Sequence, residues 1–137
     1  MTGPEGVLIS RIFAIHGSRP DLRLFRNETA GAYVGKKKGI TKDGHLVLWA
    51  GWSFIEAGLS KGSADIIGLQ MVPVSPTDWC GVLLALEVKT SNTLTSLEQT
   101  RFLKVVTELG GIGAVVKSLE EVTAILGEPP KVWKAKV

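Results

Sequence analysis

Cysteine and histidine are scarce in this chain of 137 residues, which contains the single cysteine Cys80 and two histidines, His16 and His45. One cysteine forms no intrachain disulfide, and this usage favours a reducing compartment. A zinc site of the Cys/His type needs more of these ligands than the sequence supplies, so that class of protein is excluded.

Long apolar runs and nucleotide-binding motifs are also missing. No stretch approaches the roughly 20 apolar residues of a membrane-spanning helix, and the first residues lack the basic and apolar regions of a secretion signal. Gly31 and Gly35 are separated by three residues, whereas a phosphate-binding loop has four between its glycines. We therefore expect a cytoplasmic protein with no membrane partner and no nucleotide cofactor.

The composition that remains is that of an ordinary globular protein. Apolar residues make up 45% of the chain and charged residues 21%, and this length favours one domain over residues 1–137. The 16 basic and 13 acidic residues give a net charge of +3. A mildly basic balance is compatible with a nucleic-acid partner but does not establish one.

Hydrophobic periodicity predicts a mixed α/β domain whose central sheet is flanked by helices. Thr95 and Glu98 read as a capping box at the start of the middle helix, and Ser118 with Glu121 reads as the cap of the last one. Residues 28–45 are rich in Gly and Lys and are predicted to form a mobile loop, whereas 46–52 are ambiguous. The predicted helices cover 5–16, 95–109 and 118–127, and the predicted strands cover 22–27, 64–74, 81–89, 112–117 and, at an edge, 132–137.

Acidic residues stand at the ends of two predicted strands. Alternation along 81–89 places Glu87 and Lys89 on one face, which is also what a surface ion pair would show. Asp65 begins the preceding strand, where an aspartate is most often a turn or capping residue. If the two strands pair antiparallel, Asp65 and Glu87 converge. Together with the Val88 carbonyl they would form an all-oxygen site suited to Mg²⁺ or Mn²⁺.

Two further polar residues lie on apolar helix faces. Gln99 precedes Phe102 and Leu103 by three and four residues, so it shares the core-facing side of its helix. Glu5 stands in the same relation to Leu8 and Ile9 on the first helix. Both side chains are candidates for the site. The alternatives are a glutamine that reaches solvent and a glutamate that stabilises the positive end of the helix.

Basic and aromatic residues concentrate in the first half of the chain. The basic residues are candidates for DNA contact, and their alternative explanation is an ordinary solvated surface. Aromatic residues clustered in this way form part of a core more often than a surface that stacks on bases. We also expect one of these aromatic residues to contribute to a dimer contact. The two sets are Arg19, Arg23, Arg26, Lys36, Lys37 and Lys38, and Trp49, Trp52 and Phe54.

The order and spacing of the polar residues resemble a known nuclease pattern. The segment from Gly62 to Asp65, then Glu87 with Lys89, then Gln99 is similar to the G-x-x-D … E-x-K … Q pattern of PD-(D/E)XK nucleases. More narrowly, the chain resembles the VRR-NUC family in the small stand-alone form found in phages and prophages. Ala64 departs from the proline that often precedes the first aspartate in that family.

The resemblance implies a fold and a set of roles. The fold is restriction-endonuclease-like, with an αβββαβ core and a mixed central sheet. Asp65, Glu87 and the Val88 carbonyl would hold Mg²⁺ or Mn²⁺, Lys89 would be the catalytic lysine, and Gln99 and Glu5 would support the active site. Arg26 and Asn27 match an Arg-Asn element of the family. We expect DNA contacts from Arg23, Arg26, Asn27, Lys36, Lys37 and Lys38.

The function that follows from the resemblance is a metal-dependent, structure-selective DNA endonuclease. We expect a Holliday-junction-resolvase-like homodimer, encoded by a bacterium or a phage, because two symmetric active sites would cut a four-way junction in pairs. The alternatives are a flap nuclease, a nuclease that cuts duplex DNA at a sequence, and a non-catalytic DNA-binding module on the same fold. A further alternative is a plain interaction domain in which the ion pair of Glu87 and Lys89 is incidental.

Overall fold

A computed structural model describes residues 3–90 and 93–128. The chain forms two compact units. The main unit comprises Met1–Asn27 and Lys61–Val137, and the inserted unit comprises Glu28–Ser60. The edge strand predicted over 132–137 lies outside the described residues.

The described residues form three helices and eight strands. In the main unit a helix is followed by three strands, a helix, a strand and a helix, and the inserted unit contributes four strands. The elements are α1 (Pro4–His16), β1 (Leu22–Arg26), β2 (Ala30–Val34), β3 (Lys37–Ile40), β4 (Leu46–Leu48), β5 (Ser53–Ala57), β6 (Ile66–Pro73), β7 (Trp79–Val88), α2 (Leu97–Glu108), β8 (Ile112–Val116) and α3 (Leu119–Leu126). None of these helices has the length and apolarity needed to cross a membrane.

The main unit is built on a four-stranded sheet in the order β1-β6-β7-β8. Strands β1 and β6, and β6 and β7, pair antiparallel, whereas β7 and β8 pair parallel. The parallel pair is connected through helix α2, as a parallel crossover requires. The predicted α/β class with a mixed central sheet is confirmed.

Helices cover both faces of this sheet. On one face α1 and α3 bury an apolar core with alternate residues of β7, among them Leu84, Leu86 and Val88. On the other face Ala85 of β7 packs with Leu103 and Val106 of α2. The C-terminal half of β7 is therefore covered on both sides, and the polar residues Glu87 and Lys89 at this end are buried.

The inserted unit corrects the loop predicted over 28–45. Strand β2 pairs antiparallel with β5, and β3 pairs antiparallel with β4. All residues of β2 and β5 are exposed, so these strands lack the alternation of buried and exposed positions from which a half-buried strand is recognised. The glycines and lysines of residues 28–45 gave this segment the composition of a loop.

The cap of α2 is one residue later than predicted. Ser96, and not Thr95, is the N-cap: its hydroxyl accepts a hydrogen bond from the Gln99 amide, and the Gln99 side chain accepts one from the Ser96 amide. Gln99, and not Glu98 as predicted, is therefore the third helical residue of the capping box. At α3 the predicted cap is confirmed, because the Ser118 hydroxyl accepts from the backbone amide of Glu121.

The turn before Asp65 depends on a glycine. Gly62 has φ +84°, and a Cβ there would overlap the Cβ and backbone of Glu98, whereas at Gly110, with φ +88°, a Cβ would meet nothing within 4 Å. We expect Gly110→Ala to cost about 1 kcal/mol of unfolding free energy, because alanine disfavours this conformation. Gly62→Ala should cost more, because it adds the overlap. Urea unfolding measures both, and equal losses would contradict this account.

Candidate active site

The pairing of β6 with β7 brings Asp65 and Glu87 to the same end of the sheet. The last registered pair is Ile66 with Leu86, so Asp65 and Glu87 occupy the next position on each strand. The Asp65 carboxylate (Oδ2) accepts a hydrogen bond of 2.8 Å from the backbone amide of Val88. The antiparallel pairing that was expected to bring these carboxylates together is therefore present.

Glu87 is the centre of a buried hydrogen-bonded cluster. Its side chain is 1% exposed, and its Oε1 lies 2.8 Å from Nζ of Lys89, whose side chain is 10% exposed. The same Oε1 accepts a hydrogen bond from Nε2 of Gln99. The pair of Glu87 and Lys89 is therefore not the solvent-exposed ion pair that was its simplest alternative explanation.

Helix α2 fixes the orientation of the Gln99 amide. Its Oε1 accepts a hydrogen bond of 2.8 Å from the backbone amide of Ser96, which leaves the Nε2 group to donate to Glu87. The side chain therefore joins the helix cap to the end of β7. It does not simply reach into solvent, which was the alternative for this residue.

Glu5 acts on the cluster through its charge. It lies partly buried in the first turn of α1, and its carboxylate is among the groups that raise the pKa of Lys89. The predicted position near the site is consistent with this coupling.

Burial and charge shift both members of the buried ion pair. Burial raises the pKa of Glu87, and the Asp65 charge adds to this, while the hydrogen bond and charge of Lys89 oppose it. For Lys89, burial lowers the pKa, but the hydrogen bond and charge of Glu87 outweigh burial and the net shift is upward. The lysine is therefore held as an ammonium group beside a carboxylate that is costly to ionise.

Asn27 holds the segment that carries Asp65. Its Nδ2 group donates to Ser63 Oγ and to the Ala64 carbonyl, each at 2.8 Å, and its backbone amide donates to the Asp65 carbonyl at 2.8 Å. Sequence reasoning assigned Asn27 to DNA contact. That contact stays a prediction, and the structure shows that the side chain has a positioning role, because β1 ends beside the turn before β6.

Two features of the oxygen donors at Asp65, Glu87 and Val88 bear on whether they fit a divalent cation. Within residues 3–90 and 93–128, no three His, Cys, Asp or Glu side chains are grouped as a metal site would require. The predicted set consists of two carboxylates and a backbone carbonyl, so it does not depend on such a trio. The Glu87 Oε2 atom is buried and has no hydrogen-bond partner among the residues that the structure describes. A buried anionic oxygen without a donor fits a hard cation with oxygen ligands.

The predicted basic residues do not form one group. Arg19 is buried: it donates to Asp21 and to the carbonyls of Leu126 and Gly127, so it ties the end of α3 to the turn before β1. Arg23 and Arg26 are exposed, but their spacing along β1 directs them to opposite faces of the sheet. If both contact DNA, they would therefore contact different stretches of its backbone.

The lysine run and its aromatic neighbours belong to the inserted unit. Lys36, Lys37 and Lys38 are exposed, and Lys38 Nζ lies 4.9 Å from the centre of the Trp49 ring. Trp52 is 53% exposed and Phe54 is 49% exposed. The expectation that these aromatic residues form a core is wrong, because the inserted unit is too thin to bury them.

Comparisons with protein-family models, with curated proteins and with solved structures returned no match. The resemblance described above therefore rests on the sequence itself, chiefly on the ordered pattern from Gly62 to Gln99. The geometry of the buried cluster is the independent observation that bears on it.

The buried pair predicts a coupled titration. In Lys89→Met the ammonium group that lowers the Glu87 pKa is lost, so this pKa should rise further. A raised carboxyl pKa favours the folded state at low pH, and that contribution is lost as pH rises through the folded pKa. The unfolding free energy of Lys89→Met should therefore fall relative to that of the wild type as pH rises through the pKa of Glu87 in the folded state. Carboxyl ¹³C shifts and urea unfolding measure both effects.

The matched control is Lys104→Met, because Lys104 pairs with Glu108 on an exposed helix surface. This variant should leave the Glu87 titration unchanged. An unchanged Glu87 pKa in Lys89→Met would contradict the arrangement described here.

The contacts of Asn27 predict a local effect on the Asp65 segment. Asn27→Ala removes two hydrogen bonds to buried partners and should lower the unfolding free energy by about 1–3 kcal/mol. It should also speed hydrogen exchange at the Val88 amide, which Asp65 holds. The Lys89 amide bonds the Val116 carbonyl and serves as the control within the sheet. Equal changes at both amides would contradict a role specific to Asp65.

Proposed function

We propose that this chain is a metal-dependent, structure-selective DNA endonuclease that hydrolyses phosphodiester bonds. One observation carries the proposal: Asp65, Glu87, Lys89 and Gln99, which the sequence pattern selects, lie together at the end of β7, and Glu87 bonds both Lys89 and Gln99. The proposal includes a PD-(D/E)XK fold of the VRR-NUC type, with residues 1–137 as one nuclease domain.

The cation of this proposal is Mg²⁺ or Mn²⁺. Asp65 and Glu87 would hold it through their carboxylates and Val88 through its carbonyl, because hard divalent cations prefer oxygen ligands. Such a cation, when bound, polarises a phosphate oxygen and lowers the pKa of water. The unpartnered Glu87 Oε2 supports this assignment.

The side chains around this site have separable tasks. Lys89 is an ammonium group, so it offers a fixed positive charge to the phosphate or to the attacking water and is unsuited to accept a proton. Gln99 positions Glu87, and Asn27 positions the backbone of Asp65. In the reaction the attacking water loses a proton to the solvent and its oxygen forms a new bond to phosphorus, while the bond to the leaving sugar oxygen breaks and that oxygen takes up a proton from the solvent.

Recognition in this proposal rests on shape and charge. A homodimer places two active sites for paired cuts in a four-way junction, as in a Holliday-junction resolvase. Exposed basic residues bind the DNA backbone without reading sequence. The residues proposed for this are Arg23, Arg26, Lys36, Lys37 and Lys38.

A cleavage assay tests this function. A labelled four-way junction, a flap and a linear duplex of the same sequence are incubated with Mg²⁺, Mn²⁺ or EDTA. We expect symmetric junction cuts that need metal. Asp65→Ala and Lys89→Ala should each lose at least about 100-fold in rate, while Lys104→Ala on the exposed face of α2 should cut like the wild type.

The remaining outcomes separate the alternatives. Flap cutting or discrete sites on the duplex would keep the nuclease and replace the junction as its substrate. DNA binding without cleavage in either metal would identify a non-catalytic module. Cleavage that persists in both Asp65→Ala and Lys89→Ala would overturn the proposed site.

The lysine run gives a prediction on salt dependence. Replacing Lys36, Lys37 and Lys38 together by Glu should weaken DNA binding and flatten its salt dependence. The slope of log K against log salt should fall by up to about 3, since each duplex phosphate contact contributes about 0.9. Binding titrations at several salt concentrations in EDTA measure this slope.

The control carries the same change in net charge on the main unit, with Arg101, Lys104 and Lys117 replaced by Glu. These residues are exposed and are not among the proposed DNA contacts. A similar flattening in both variants would attribute the effect to net charge alone and would remove the lysine run from the interface.

A further inference from the structure

The inserted unit presents three aromatic rings on one side of the β2–β5 pair. Tyr33 and Phe54 face each other in register, and their ring centres are 5.0 Å apart. The Trp52 ring stands edge-on to Tyr33 with centres 5.3 Å apart. We call Tyr33, Trp52 and Phe54 the aromatic cluster.

Glycines in β2 and directly after it let the aromatic cluster lie against the backbone. At Gly31 a Cβ would run into the Phe54 ring, and at Gly35 a Cβ would lie 3.1 Å from the Cβ of Trp52. Of residues 28–60, all of which the structure describes, none is buried. The rings are therefore supported from below by the strands while much of their surface stays open to solvent.

The lysine run contacts Trp49, which precedes Trp52 by three residues in the sequence. Lys36 follows β2 by two residues, and its carbonyl accepts a hydrogen bond of 2.9 Å from the Trp49 amide. Lys38 stacks over the Trp49 ring. The acidic residues Glu28 and Glu56 lie at the opposite end of the β2–β5 pair, where Gly31 is registered with Glu56. Positive charge is thus concentrated at the end where Trp49 and Trp52 stand.

We propose that the aromatic cluster, with Trp49 and the lysine run, binds the unpaired bases of single-stranded DNA. Each nucleotide of a single strand offers a flat base and a phosphate, and aromatic rings interleaved with lysines match both. This inference rests on the proposed function, to which it adds a means of selecting DNA with unpaired segments.

Two other occupants fit the surface less well. In duplex DNA the faces of the bases are stacked on each other and are not open to these rings. A second copy of the chain would cover the rings, but its inserted unit offers the lysine run only the three carboxylates of Glu28, Asp43 and Glu56, whereas a single strand carries a phosphate at each nucleotide. A single strand satisfies both the rings and the lysines.

The test is direct binding of a labelled oligothymidylate to the full chain in EDTA, which needs no cleavage. Tyr33→Ala and Trp52→Ala should each weaken this binding about tenfold, and Tyr33→Phe should restore it because the ring is kept. Trp79→Ala is the matched control, since Trp79 is 52% exposed, like Trp52 at 53%, but lies on β7 of the main unit. Circular dichroism verifies that each variant is folded.

Each outcome decides the inference. Unchanged oligothymidylate affinity in folded Tyr33→Ala and Trp52→Ala would overturn it. Equal losses for oligothymidylate and for duplex DNA would also overturn it, because the rings would then not discriminate unpaired bases. A fall in sedimentation mass with unchanged DNA affinity would identify the surface as a contact between copies. If the wild-type protein still cuts the junction while the binding results overturn this inference, the proposed nuclease function is unaffected.

Discussion

The buried carboxylate of Glu87 is the constraint around which the site is organised. A charge at this depth is costly unless it is paired and hydrogen-bonded, and here Lys89 and Gln99 share one of its oxygens. The second oxygen has no hydrogen-bond partner within the described part of the chain. The cap of α2 orients Gln99, and β6 brings Asp65 alongside, so several elements of the main unit converge on this group.

The parts of the fold that were predictable from sequence are those with local signals. Strand β7 and the convergence of Asp65 with Glu87 follow from alternation and pairing, and the α3 cap follows from Ser118 and Glu121. The role of Asn27 could not be foreseen, because it depends on where the end of β1 meets a turn that lies 36 residues later, at Ser63. Strands β2 and β5 of the inserted unit were missed because both of their faces are exposed.

Chemistry and recognition are assigned to different stretches of the chain. The candidate catalytic residues belong to the main unit and are held by buried hydrogen bonds, as fixed catalytic geometry requires. The aromatic cluster and the lysine run belong to the inserted unit, which connects β1 to β6 in the sequence. An exposed unit of this kind tolerates changes in composition that a buried cluster does not.

Titration of the protein with Mn²⁺, followed by electron paramagnetic resonance of the free ion, tests most directly the proposal that Asp65 and Glu87 hold a divalent cation. The account predicts one bound Mn²⁺ per chain, with binding lost in Asp65→Asn and in Glu87→Gln and retained in Glu108→Gln. Absence of Mn²⁺ binding in the wild type would contradict this proposal. So would Mn²⁺ binding in Asp65→Asn and Glu87→Gln that equals the binding of the wild type.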